Sequence, residues 1–116
     1  MKILVVDDSL EMRESTVAAL ELYCHIHGGE VQGASSSQEA IELLNNAQDF
    51  DVLITDWDLG HASKVNGAGL ARQARCFYPE LRIALWSGLT RPAIPEVDLQ
   101  LTKGYRAFQE LLEWLG

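Results

Sequence analysis

Asp51-Val52-Leu53-Ile54-Thr55-Asp56 is the stretch that decides the fold. Its four central residues are apolar or β-branched without a polar interruption. A strand covered on only one face alternates; an unbroken run of this kind is covered on both, as in a parallel sheet packed between helices. The run closes on a carboxylate. Working outward, residues 3–6 form a similar run that closes on Asp7 and Asp8, and residues 83–86 form another that closes on Ser87. Residues 30–34 read as a weaker strand, and residues 99–102 as a short fifth one followed directly by Lys103.

Between these strands the period changes to that of a helix. Met12, Thr16, Ala19, Leu20 and Tyr23 recur at helical spacing from residue 10 to about 26, with Gly28-Gly29 as the stop. Ser36 and Glu39 form a capping box for a helix carrying Ala40, Leu43, Leu44 and Ala47. A loop over 57–66 leads to a helix over 68–77, which stops before Pro79. Residues 88–98 contain Pro92 and Pro95 and leave room for about one helical turn. A last helix covers 105–115, with Tyr105, Phe108, Leu112 and Leu115 as its core stripe and Trp114 well off it. The order is βαβαβαβ(α)βα, with no repeat, linker or low-complexity stretch. The expectation is one α/β domain over 1–116: a doubly wound, five-stranded parallel sheet of flavodoxin-like order 2-1-3-4-5 with a shortened fourth helix.

Composition bounds the function. The chain has 116 residues, 47 % of them apolar, enough for one core. A formal net charge of −8 argues against nucleic acid as a partner, since phosphate binding wants a basic face. No run approaches a membrane span or a signal-peptide core. Cys24 and Cys76 are far apart, lack metal-ligand spacing, and belong on helices covering opposite faces. They read as free, buried thiols in a reducing compartment, which makes the protein cytoplasmic.

An open parallel sheet binds its ligands beyond the carboxyl ends of the strands, where the strand order reverses. With the order above, that crevice lies between strands 1 and 3. Asp7, Asp8 and Asp56 flank it, with Ser87 and Lys103 on the neighbouring strands. Each has an ordinary reading alone: Asp8 or Ser9 caps the first helix, Asp56 ends a turn, Ser87 is a small strand-end residue, Lys103 is solvated. Together they are harder to dismiss. Like charges about 4 Å apart repel by on the order of 4 kcal/mol at an effective dielectric near 20, so three carboxylates there call for a cation. All-oxygen ligation suits Mg²⁺ or Mn²⁺. The same parts suit phosphoryl transfer: Asp56 as nucleophile, Lys103 as fixed positive charge, and Ser87 as a hydroxyl donor to a phosphoryl oxygen.

Asp7-Asp8, the run from Asp51 to Asp56, Ser87, and Leu101-Thr102-Lys103 stand at the strand ends where the receiver domain of two-component response regulators carries its motifs. The chain resembles that family over essentially its whole length. The resemblance implies a fold like that of the chemotaxis response regulator and a phosphoacceptor at Asp56. It also implies Mg²⁺ held by Asp7 or Asp8, Asp56 and the backbone carbonyl of Asp58. The phosphodonor would be a histidine kinase or phosphotransfer protein, and the response a conformational change read by an output protein. The chain departs from the pattern in several places. Gly60 stands where the family has a proline, residues 61–66 lengthen the path to Gly67, and the segment between Ser87 and Lys103 is short. Gln100 replaces the aromatic switch residue, and Gly104 replaces the proline after the lysine.

Two other readings use the same residues. A degenerate receiver would serve only as a binding module. Asp56-Trp57-Asp58 also matches the D-x-D of haloacid-dehalogenase-type phosphatases, which would make the chain an enzyme, although that motif normally ends the first strand of a larger domain. The receiver reading has no enzyme. With the aromatic switch missing, the expected exit for the signal is a partner or homodimer contact near Trp114, aided by the loop at residues 61–66.

Overall fold

In the computed structural model, which describes residues 1–47 and 49–116, five parallel strands carry four helices. The elements are β1 (Lys2–Val6), α1 (Leu10–His27), β2 (Glu30–Ala34), α2 (Ser37–Ala47), β3 (Val52–Asp56), α3 (Gly67–Phe77), β4 (Arg82–Ser87), β5 (Leu99–Thr102) and α4 (Ala107–Leu115). The sheet order is β2-β1-β3-β4-β5, all parallel, as the sequence pattern predicts.

The continuous apolar runs are central for the reason given above. β1 and β3 are buried almost along their whole length, because helices cover both faces of the sheet. One face packs Leu4, Leu53, Ile83 and Leu85 under α2 and α3. The other packs Ile3, Val5, Ile54 and Trp86 under α1 and α4. The edge strand β2 alternates exposed with partly buried residues, which is why it reads weakly in sequence.

Capping follows the chain's local chemistry. The Ser9 hydroxyl accepts from the Met12 amide at the start of α1, which settles the choice between Asp8 and Ser9. Ser36 Oγ accepts from the Glu39 amide at 3.2 Å, and the Glu39 carboxylate accepts from the Ser35 amide at 2.7 Å. Asn66 caps α3 by accepting from the Gly69 amide at 2.8 Å.

Four expectations are corrected. Residues 88–98 form no helical turn, so the shortened fourth helix between β4 and β5 is absent. Pro92 and Pro95 cannot donate backbone hydrogen bonds. The Gln100 amide occupies the groups a turn would have used: its oxygen accepts from the Ile94 amide, and its nitrogen donates to the carbonyls of Arg91 and Pro92. The segment is an extended strap laid along β5. Second, Tyr105 does not join the core of the last helix; it is 91 % exposed, because a turn over residues 104–106 delays the helix to Ala107. Third, Cys76 is exposed on the outer side of α3, whereas Cys24 is buried; the two do sit on helices covering opposite faces. Fourth, Met12 is 42 % exposed, and Thr16, Leu20 and Cys24 carry the buried stripe of α1 instead.

Candidate functional site: a carboxylate cluster at the strand ends

The β1–β3 pairing sets Val6 beside Thr55, so the residues that follow them meet at the carboxyl edge. Asp7, Asp8 and Asp56 each bring a carboxylate oxygen within 4.8 Å of the other two. Asp7 and Asp56 are buried and Asp8 is exposed, so the cluster opens to solvent on the Asp8 side. Asp7 is fixed from several directions. Its Oδ1 accepts from the Ser9 amide at 3.0 Å, its carbonyl accepts from Arg13, and its own amide donates to the Ala34 carbonyl. Burial pushes the Asp7 carboxyl above the usual range, and the negative charges of Asp56 and Asp8 add to this. The Ser9 amide and Lys103 act in the opposite sense.

Lys103 enters from the end of β5, with its amide bonded to the Ser87 carbonyl at 2.7 Å. Its Nζ lies 3.1 Å from Asp56 Oδ2 and 5.7 Å from the centre of the Trp86 ring. Asp56 thus gives one oxygen to the ammonium and shares the carboxylate cluster with Asp7 and Asp8. Ser87 ends β4 one residue beyond Trp86, which pairs with Asp56. The Ser87 hydroxyl accepts from the Leu89 amide at 3.2 Å and from Arg91 Nε at 3.3 Å. Those two bonds use both of its lone pairs, and what the group has left to offer is its proton.

Two glycines let the loops approach. Gly67 begins α3 so close to β3 that an added Cβ would stand 1.9 Å from the Asp56 carbonyl oxygen. Gly60 has φ +73°, which a proline ring cannot adopt, and a Cβ there would lie 2.5 Å from Asp8 Oδ2. The glycine at that position is therefore demanded by the path of the lengthened loop. That loop turns toward α2: Ser63 Oγ accepts from the Ser37 amide, and Gln38 bonds to the backbone of Ala62 and Lys64. His61 is exposed within it.

The fit to a divalent cation follows from the donor set. Three carboxylates on one crevice, with Lys103 paired to Asp56 alone, form a set of hard oxygen donors of the kind that suits a divalent cation such as Mg²⁺. Asp58 does not add its side chain to the cluster. Its carboxylate is exposed and turns to Arg91, whose Nη2 lies 3.2 Å from both of its oxygens. Arg91 carries no signal in the sequence, where it is a lone arginine before Pro92 that belongs to no motif.

Trp114 is half-buried, not projecting freely. It packs on the core, and the Arg82 guanidinium sits 4.4 Å from its ring centre. Arg82 opens β4, so Trp114 lies at the amino end of the sheet, while the loop at residues 61–66 lies at the carboxyl end against α2. The two cannot cooperate in one contact as the sequence reading expects.

A family model described as "Response regulator receiver domain" matches residues 3–101. A chemotaxis protein CheY homolog of Campylobacter jejuni is 39 % identical over 75 residues, covering 65 % of this chain and 53 % of its own length. The match thus spans about half of that relative. Among solved structures, response regulator protein TrrA of Thermotoga maritima, in complex with Mg²⁺-BeF, superposes with a TM-score of 0.82 at 24 % identity, covering 98 % of this chain and 95 % of that one. A complex of histidine kinase ThkA with TrrA gives 0.77 at 22 %, covering 98 % and 97 %. A response regulator receiver domain protein of Clostridium thermocellum gives 0.74 at 25 %, covering 97 % and 88 %.

Proposed function

The chain belongs to the response regulator receiver family, and on that footing we propose that it accepts a phosphoryl group on Asp56. The observation that carries this reading is the divided environment of Asp56. One of its oxygens faces the Lys103 ammonium at 3.1 Å, while the carboxylate also takes part in the cluster with Asp7 and Asp8. An Asp56 oxygen attacks phosphorus, the bond from phosphorus to the donor's imidazole nitrogen breaks, and the imidazole leaves as the acyl phosphate forms. Lys103 holds positive charge beside the developing phosphoryl oxygens, and the Ser87 hydroxyl donates to one of them.

Mg²⁺, with Mn²⁺ as a substitute, would be held by Asp7, Asp8, Asp56 and the backbone carbonyl of Asp58, and when bound it neutralises charge on the transferred oxygens. The phosphodonor is a histidine kinase or phosphotransfer protein, in keeping with the ThkA complex of the similar TrrA. The output goes to a protein partner or a second copy of this chain. The reading places the chain in the cytoplasm as one domain over 1–116; no described helix is long and apolar enough to cross a membrane.

The phosphatase reading needs Asp58 beside the reacting group as general acid or base. Its carboxylate is instead exposed and paired with Arg91, which favours a stoichiometric acceptor over a turnover enzyme. Incubation with a small-molecule phosphodonor and Mg²⁺, followed by mass spectrometry, tests the assignment. The expected product is a single base-labile phosphoryl group, absent in Asp56→Asn. Label that survives in Asp56→Asn would move the site, no label at all would favour the degenerate receiver, and fast multiple turnover of phosphomonoesters lost in Asp58→Asn would favour the phosphatase.

A further inference from the structure

Arg91 stands at the mouth of this site, and the phosphoryl-transfer chemistry above gives it no task. It sits on the strap over residues 88–98, half-buried, and makes three contacts there. Its Nη2 spans both oxygens of Asp58 at 3.2 Å, its Nε donates to Ser87 Oγ at 3.3 Å, and its guanidinium lies 5.3 Å from the centre of the Trp57 ring. Trp57 and Asp58 follow Asp56 directly, and Ser87 ends the adjacent strand. One guanidinium therefore joins the residues on two sides of the phosphoacceptor.

We propose that Arg91 is a phosphoryl ligand held in reserve: it is parked on Asp58 in the unmodified protein and transfers its fork to the phosphoryl oxygens on Asp56. This rests on the phosphoacceptor reading above. Three observations point to it. The Asp58 carboxylate is 66 % exposed, and an ion pair so open to water is weakly held and readily exchanged. A phosphoryl dianion offers a guanidinium the same paired-oxygen geometry with more charge, so the exchange runs toward the phosphoryl group. A cavity of about 240 Å³ beneath the strap, lined by Trp57, Ser87, Arg91 and Gln100 among others, leaves open space on one side of the Arg91 side chain. The Nε bond to Ser87 supplies the coupling: the hydroxyl that donates to the phosphoryl group is the one already accepting from Arg91.

The motion also gives the strap a signal to carry. Its backbone is fastened by Gln100 to the Arg91 and Pro92 carbonyls and to the Ile94 amide. Gln100 stands where the family's aromatic switch would be. A turn of Arg91 is therefore felt at the exposed outer end of the strap, where Leu89 is 65 % accessible.

Beryllium trifluoride, which mimics the phosphoryl group on a carboxylate, separates the two levels of the reading. It is titrated into the full chain at saturating Mg²⁺, and the midpoint is read by tryptophan emission and calorimetry. Wild type gives a saturable response. Arg91→Ala raises the midpoint about tenfold, as expected for a lost charge-assisted fork. Arg91→Lys, which keeps the charge but not the fork, recovers less than half of that loss. Asp58→Asn, which frees the guanidinium, lowers the midpoint about twofold, and this gain shrinks when Arg91 is alanine. Thermal melting by circular dichroism confirms that each variant is folded at the titration temperature. A midpoint for Arg91→Ala within about twofold of wild type overturns the proposal. So does an Asp58→Asn gain that is the same in both backgrounds. A wild type that does not respond at all overturns the phosphoacceptor reading, and this one with it.

Discussion

The two ends of the sheet treat charge in opposite ways. At the amino ends of the strands, opposite charges meet. Lys2 Nζ lies 3.0 Å from Asp49 and 4.6 Å from the Phe50 ring centre, and its backbone amide donates to Asp51. Asp98 accepts from the Ile83 amide and from Arg75, whose other nitrogens serve the carbonyls of Pro79, Leu81 and Glu96. Arg82 covers Trp114 and donates to the carbonyls of Trp114 and Leu115. At the carboxyl ends, three carboxylates converge and one ammonium reaches only Asp56, while the Arg91 guanidinium is turned to Asp58 outside that cluster. The first arrangement is what folding alone selects. The second is a standing electrostatic cost, and such costs persist where a ligand relieves them.

The sharpest way to break the carboxyl end is at Gly67. In Gly67→Ala the new Cβ meets the Asp56 backbone 1.9 Å away, where no flexible side chain can yield. A loss of about 3 kcal/mol in denaturant-unfolding stability is expected. On the proposed role of Asp56, phosphoryl acceptance should fall with it, because the displaced backbone is that residue's own.

Removing a charge from the cluster should act in the other direction. Burial holds the Asp7 carboxyl above its ordinary range, so the metal-free fold keeps a proton there at pH values where the unfolded chain has released it. The stability linked to this group is fully present below the ordinary carboxylate pKa, about pH 4, and is lost as pH rises through the raised folded value. Asp7→Asn preserves the acceptor for the Ser9 amide and removes the charge. It should stabilise the Mg²⁺-free protein by about 1 kcal/mol near neutral pH, with the gain fading below about pH 4. Thermal melts at the two pH values check this. Destabilisation at neutral pH would mean that the cluster is not strained.

The smallest effect belongs to the amino end. The Lys2–Asp49 pair is largely open to solvent on the Asp49 side. Asp49→Ala should cost no more than about 0.5 kcal/mol in the same melts, and less in high salt. A change as large as that at Asp7 would erase the contrast between the two ends.

The contrast also explains what could be read from sequence. Strand ends are legible because an unbroken apolar run that stops on a charged or polar residue states where the sheet ends and what is presented there. That rule places Asp7, Asp8, Asp56, Ser87 and Lys103 at one edge of the sheet, where the structure also has them, whereas the strand order rests on crossover handedness. The strap did not. Counting residues between Ser87 and Leu99 allows a helical turn, but the outcome depended on Gln100 side-chain bonds that reach six to nine residues back. The contacts of Arg91 are illegible for the same reason, since they depend on where an irregular segment lies. Trp114 shows the limit of helical spacing: a position off the core stripe can still be covered by a residue from elsewhere, here Arg82.

The claim that the carboxyl-end cluster is built for a cation is tested most directly by calorimetric titration of the metal-free protein with Mg²⁺ near neutral pH, with tryptophan emission followed in parallel. Trp57 adjoins Asp56, so the expected result is single-site saturable binding seen by both signals, weakened at least about tenfold in Asp56→Asn through loss of a charged ligand. A silent calorimeter and unchanged emission, or binding that Asp56→Asn leaves intact, would contradict it.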